Sequence, residues 1–263
     1  MSLTMTTTAE RSGQAWGLLA RDWAEVEAQQ RPTYEAAIRR AGITAGQTVL
    51  DAGCGTGAFL RAAADHGAAV CGIDASHALL ELARERVPEA DLAQGDLMHL
   101  PYVDDCFDAV TGFNAFFFAD DMVAALREAG RVAKPGAPIV IQVWGRPERF
   151  DLGLMKAVLA RFTPPRDPSG VDPNQLWRHG ELERLAAAAG LRPDVAFDVE
   201  WSYAFADEAH LTRAMMSAGG FGAIAGDQRD AARDAIVEAL AGCRLPDGGY
   251  RMRNAWHVLV ARA

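Results

Sequence analysis

Lysine is nearly absent from this chain: Lys134 and Lys156 are the only two in 263 residues. Arginine carries almost all the positive charge and is scattered, while 35 acidic residues outweigh 26 basic ones for a formal charge of −9. With no clustered basic run there is no electrostatic footprint for a phosphate backbone, so no nucleic acid is expected as a partner. Cysteine is scarce as well. Cys54, Cys71, Cys106 and Cys243 show no Cys-x-x-Cys spacing and no adjoining histidine cluster, which excludes a zinc site or a disulfide framework as the organising feature. Four isolated cysteines and no apolar leader fit a reducing cytoplasm, the expected location. No stretch approaches the roughly 18 apolar residues of a membrane span, so no membrane partner is expected either.

Half of the residues are hydrophobic. That suffices for one large α/β domain, or for a core domain with a sizeable insertion. Residues 1–12 are polar and threonine-rich and are expected to be disordered. Trp16, Leu19, Trp23 and Val26 recur at spacings of three and four, a helical pattern whose apolar face favours a core role for the indoles. Pro32 starts a second helix through Tyr34, Ala37 and Ile38, and Gly42 ends it. Between residues 48 and 144, short apolar strands (48–51, 69–74, 91–94, 107–112 and 138–144) alternate with helical segments. Such alternation predicts right-handed βαβ units and a doubly wound, mostly parallel sheet.

The rest of the chain, 145–263, is less regular. Residues 145–176 hold five prolines and read as a loop with one helix near 152–162. Helices follow at about 181–189, 207–217 and 228–241, with strands at 195–203 and 255–263. Seven strands in all are expected. Segments near 145–176 and 204–245 would form helical caps over a core built from residues 13–144 and the last two strands.

Residues 49–59, Val-Leu-Asp-Ala-Gly-Cys-Gly-Thr-Gly-Ala-Phe, carry the most chemistry. A strand feeds Asp51, glycines alternate at 53, 55 and 57, and a helical pattern follows. Alternating glycines strip away the side chains that would hold a small ligand off the backbone. The spacing is Gly-x-Gly-x-Gly rather than the Gly-x-Gly-x-x-Gly of dinucleotide enzymes. A glycine-rich turn with no ligand remains the plain alternative. Asp74, at the end of the second strand and 17 residues past Gly57, stands where an acid can accept hydrogen bonds from ribose hydroxyls.

With its flanks, this segment resembles the first motif of the class I S-adenosylmethionine (SAM) dependent methyltransferases. Gly95-Asp96-Leu97, Leu100-Pro101-Tyr102 and Phe107-Asp108-Ala109-Val110 extend the resemblance through the third and fourth strands, and Arg131–Ala137 through the turn before the fifth. It is strong over residues 49–144 and is closest to the ubiquinone-biosynthesis-type, small-molecule group. The resemblance implies a seven-stranded Rossmann-like methyltransferase fold with SAM at the C-terminal ends of the strands. Cofactor contacts would come from Asp51, Gly53, Cys54, Gly55 and Gly57 of the first turn and from Asp74 and Ala75 after the second strand. Asp96 would take the adenine amino group, Leu97 would lend a backbone N–H and an apolar wall, and Phe113-Asn114 would face the sulfonium.

Asn114 is not followed by Pro-Pro-Tyr or Pro-Pro-Phe, which disfavours methylation of adenine or amide nitrogens. No histidine stands beside an obvious acid, so no catalytic base is assigned. The expected activity is methyl transfer to a small-molecule acceptor by a monomer or homodimer, with no metal. Phe150, Leu154, Met155, Phe162, Trp177, Met215, Met216 and Phe221 in the cap segments hint at a hydrophobic acceptor. A nucleotide-dependent oxidoreductase, an RNA or protein methyltransferase, and a SAM-binding regulator without catalysis are the other readings.

Overall fold

A computed structural model describes residues 7–163, 171–222 and 224–263. The first helix, α1 (Thr8–Gly17), begins inside the stretch expected to be disordered. Its start is fixed by a reciprocal cap: Glu10 N–H donates to Thr7 Oγ1 and Thr7 N–H donates to a Glu10 carboxylate oxygen, satisfying two donors that helix ends otherwise leave unpaired. Disorder over residues 7–12 is therefore corrected; residues 1–6 lie outside the described residues. The chain leaves the helical conformation at Leu19 and resumes as α2 (Ala20–Ala28), so Trp16 and Trp23 sit on separate helices rather than on one stripe. Pro32 lies in the first turn of α3 (Arg31–Ala41), and Gly42 closes it in the left-handed conformation.

The core runs β1 (Thr48–Ala52), α4 (Ala58–Asp65), β2 (Ala69–Asp74), α5 (His77–Arg86), β3 (Asp91–Gln94), β4 (Ala109–Phe113), α6 (Met122–Val132) and β5 (Pro138–Trp144). After it come α7 (Leu154–Leu159), α8 (Glu181–Ala188), β6 (Arg192–Phe205), α9 (Glu208–Ser217), α10 (Gly219–Gly222), α11 (Arg229–Ala239) and β7 (Tyr250–Arg262). The strands form one sheet in the order β3-β2-β1-β4-β5-β7-β6. The first five are parallel, and β7 inserts antiparallel between β5 and β6. This is the doubly wound, seven-stranded, mostly parallel fold that the alternation of elements predicts. Three of the prolines in the expected loop, Pro164, Pro165 and Pro168, lie outside the described residues.

Two apolar layers clamp the sheet. Leu126 and Ala129 of α6 pack with Leu182 and Leu185 of α8 against one face; Ile38 of α3 and Phe59 and Leu60 of α4 cover the other. A third cluster gathers Phe150, Met155, Met215, Phe221 and Ile236 around Tyr203, Tyr250 and Trp256 of β6 and β7. These two strands are 14 and 13 residues long, several more than their apolar patterns suggest, and their ends away from the sheet's middle carry this third cluster. The order of strands reverses between β1 and β4, and a crevice opens at the carboxyl ends of the strands at such a point.

Candidate cofactor and acceptor site

The glycine turn lies in that crevice. Gly53, Gly55 and Gly57 have φ values of 81°, 54° and 77°, a left-handed region that side chains resist. Space is short as well as conformation: a Cβ on Gly53 would lie 2.4 Å from Ala115 Cβ, and one on Gly55 would lie 2.8 Å from Glu27 Oε2.

The backbone donors of the turn are engaged by the protein itself. Gly53 and Cys54 N–H donate to Ile73 O, Gly55 N–H donates to Asp74 Oδ2 at 2.9 Å, and Gly57 N–H donates to Cys54 O. Thr56 and Ala58 N–H donate to the Glu27 carboxylate at 3.0 and 3.3 Å. The turn thus offers a ligand room rather than free amides. The N-terminus of α4, where a helix favours an anion, is filled by a side chain from α2.

One cavity of about 310 Å³ opens over this turn. Ten of the eleven residues expected to contact cofactor line it: Asp51, Gly53, Cys54, Gly55, Asp74, Ala75, Asp96, Leu97, Phe113 and Asn114. Gly57 is the exception. It faces α5, where a Cβ would meet Ala83 at 3.1 Å, so its closeness serves the packing of α4 on α5. The Cys54 thiol also turns away from the cavity, 2.8 Å from where a Gly72 Cβ would sit, and burial pushes it well above the ordinary thiol range.

Carboxylates dominate the polar part of the wall. Asp51 is buried at the end of β1 and accepts from Thr111 Oγ1 at 2.6 Å. Burial pushes its carboxyl up to about 8 against that hydrogen bond, and the charges of Glu27 and Asp74 push the same way. Burial likewise raises Asp74, opposed by the N–H groups of Ser76 and Gly55. Gly55 N–H donates to Oδ2 and Ser76 N–H to Oδ1, with Ala75 N–H also favouring the carboxylate; a carboxylate has acceptor sites beyond these for a ligand hydroxyl. Asp96 Oδ1 accepts from Met98 N–H at 2.9 Å, which fixes the carboxylate at the rim after β3.

Asn114 adopts φ 55°, a conformation asparagine tolerates better than most residues, with a buried Oδ1 that has no partner among the described residues. Phe113 meets the Tyr34 ring edge-on at 4.7 Å. Of the described lining residues, five are acids (Glu27, Asp51, Asp74, Asp96 and Asp120) and none is lysine, arginine or histidine.

The other end of the cavity is apolar. Trp16 and Trp23 line it, ring centroids 4.7 Å apart, because α1 and α2 bend at Leu19; the core role favoured for these indoles holds in part for Trp23, which also packs on the third cluster. Phe118 joins them at 5.7 Å from Trp16, while Phe116 and Phe117 are core. Phe150, Leu152, Met155 and Leu159 from one expected cap segment face Met215, Gly219 and Phe221 from the other. Four further residues of the hydrophobic hint lie elsewhere. Phe162 and Met216 pack in the third cluster, Leu154 is exposed, and Trp177 Nε1 donates to Asn174 O.

The histidines do find acids, contrary to the sequence reading: His257 Nδ1 lies 2.7 Å from Asp198 and His66 Nε2 lies 2.8 Å from Glu35. Both pairs link residues far apart in the chain, and neither lines the cavity. Sequence reasoning missed Glu27 and Gln30. The available signal was an acid and an amide set directly beside the Trp23–Val26 apolar stripe.

Residues 50–141 match the model of a methyltransferase-domain family. The demethylmenaquinone methyltransferase of Tropheryma whipplei (strain Twist) is 38% identical over 136 residues, which is 50% of this chain and 55% of that protein. The chain spans about half the length of the curated relatives it matches. Among solved structures, a SAM dependent methyltransferase from Aquifex aeolicus superposes with TM-score 0.52 at 17% identity, over 88% of this chain and 89% of that one. The [4+2]-cyclase SpnF superposes with TM-score 0.58 at 22% identity, over 88% and 80% of the two chains. At these identities the structural likeness shows the fold alone.

Proposed function

From a chain whose residues 50–141 match the model of a methyltransferase-domain family, we propose a SAM-dependent transferase that methylates an apolar small molecule. One observation carries this reading. The cavity joins a carboxylate-rich end at the glycine turn to a chamber of indole, phenyl and thioether side chains. The residues fit SAM: glycines 53 and 55 leave a cradle that a Cβ would fill, and Asp74 keeps acceptor sites for a ligand hydroxyl. Asp96 and Leu97 suit an adenine edge, Asp51 a cation, and the Phe113 ring a sulfonium face. When bound, SAM supplies a methyl group already activated by its positive sulfur.

The protein's part is then to align and to dry. In-line displacement needs the acceptor nucleophile held against that methyl group, and positioning of this kind can supply several kcal/mol of the barrier. Trp16, Trp23, Phe118, Phe150 and Phe221 exclude water from the chamber. No histidine or lysine reaches the cavity wall among the described residues, so the favoured acceptors are those that ionise readily, such as acidic phenols, enols or thiols. Incubation with methyl-labelled SAM and a panel of apolar phenols, enols, thiols and carboxylic acids tests this. Label passing into a solvent-extractable product supports transfer. Tight SAM binding with no transfer across the panel would favour a SAM-binding regulator, or chemistry of another kind on the same fold.

A further inference from the structure

We propose that Glu27 is a ligand-recognition residue, seating together with Asp51 the ammonium group at the amino-acid end of the cofactor. The proposal rests on the reading of the cavity as a SAM site. Glu27 lies on α2, outside the residues matched by the family model, and no motif assigns it.

Its carboxylate is buried, yet lines the cavity directly over Gly55. Two backbone N–H groups hold it there, those of Thr56 and Ala58. Arg86 on α5, whose charge favours the ionised Glu27, donates its hydrogen bonds to Thr56 O, Thr56 Oγ1 and Ala24 O and so clamps the turn. Across the corner stands Asp51 on β1, whose carboxyl the charge of Glu27 perturbs. Two carboxyl groups share a buried wall whose described residues include no lysine, arginine or histidine, so their ionised forms are disfavoured until a cation offsets them.

Two further side chains point to a ligand in this corner. Tyr34 on α3 is 3% exposed and lines the cavity, and its hydroxyl has no hydrogen bond among the described residues. Burial raises it, and the charges of Glu27 and Asp51 raise it further, which puts it in the same corner. Gln142 on β5 is 1% exposed with its Oε1 unpartnered, and its Nε2 reaches Gln30 on the cavity wall at 3.4 Å. An incoming ammonium brings three donors and a positive charge that would favour the ionised carboxylates of this corner. Because α4's N-terminus is already filled by Glu27, the glycine turn selects the cationic end of an amino acid rather than its carboxylate.

Calorimetric titration with S-adenosylhomocysteine and with its analogue bearing hydrogen in place of the α-ammonium isolates the effect. Wild-type protein is expected to prefer the ammonium form by about tenfold or more, and Glu27→Gln to shrink that preference to within about twofold. A merely structural Glu27 would weaken both ligands equally and keep the ratio, which overturns the proposal, as does a wild type without preference. Should Glu27→Gln fail to fold, Asp51→Asn is put through the same pair of titrations, with the same result expected and the same result contrary. Binding of neither ligand by wild-type protein would instead bring down the SAM reading on which the proposal stands.

Discussion

The two ends of the cavity are built on opposite plans. The floor, at the glycine turn, comes from strand ends and tight turns; its groups are polar, charged and fixed by backbone hydrogen bonds, as Asp74 is by Gly55 and Ser76. The roof comes from the indoles of α1 and α2 and from two distant segments around residues 150–159 and 215–221; its groups are mostly apolar and packed on one another. A fixed polar floor suits one invariant ligand, recognised atom by atom. A packed roof of tryptophan, phenylalanine and methionine suits a partner recognised by shape and apolar area, and methionine in particular adapts its shape. That division of labour is what the proposed transfer, from a constant donor to an acceptor particular to the protein, would require.

Substitutions in the floor should separate cleanly from those in the roof. The largest effect is expected for Gly55→Leu. Its side chain would have to displace the Glu27 carboxylate from a left-handed position, so calorimetry should find SAM binding lost while circular dichroism still reports a folded protein. Loss of folding instead would make the turn chiefly structural. Asp74→Ala should weaken SAM at least tenfold, about 1.4 kcal/mol, by removing a charged hydrogen-bond acceptor; unchanged affinity would remove Asp74 from the site.

A subtler effect follows from Asp51. Its folded carboxyl titrates near 8 against an ordinary 3.8, so between about pH 4 and 8 the folded state retains a proton that the unfolded chain has lost. The ligand-free protein should therefore lose stability as pH rises through that window, and Asp51→Asn should flatten the slope in denaturant titrations at pH 6 and 8. Burial raises Glu27 and Asp74 in the same direction, so part of the slope should remain. A wild-type stability that climbs over this range would contradict the burial argument. The smallest effect on the floor is expected from the roof: Met155→Ala should cost about 2–5 kcal/mol of stability yet leave SAM affinity within about threefold. A loss of SAM affinity equal to that of Asp74→Ala would erase the distinction between the two ends.

The same contrast governs what the sequence discloses. Asp51, Gly53, Gly55, Asp74 and Asp96 are legible because each sits at a fixed offset from a strand, and the turn that places it is local. Asn114 is legible for the same reason. Gly57 is misleading, since its left-handed φ serves the junction of α4 with α5 and not the cavity. Glu27, Trp16 and Trp23 are hidden because an amphipathic stripe signals only that a face is covered, not whether protein or ligand covers it. The bend at Leu19, which turns both indoles inward, carries no proline or glycine at its centre to announce it; Gly17 lies two residues before. The length of β6 and β7 is set by their pairing with each other beyond β5, a long-range partnership that apolar periodicity does not encode.

The most direct test is a pair of calorimetric titrations of the wild-type protein, one with SAM and one with NAD. Saturable one-to-one binding of SAM, with no heat from NAD at the same concentrations, is the result expected from a floor of alternating glycines and carboxylates that keep acceptor sites for a ligand. Binding of NAD, or no uptake of SAM, would contradict it.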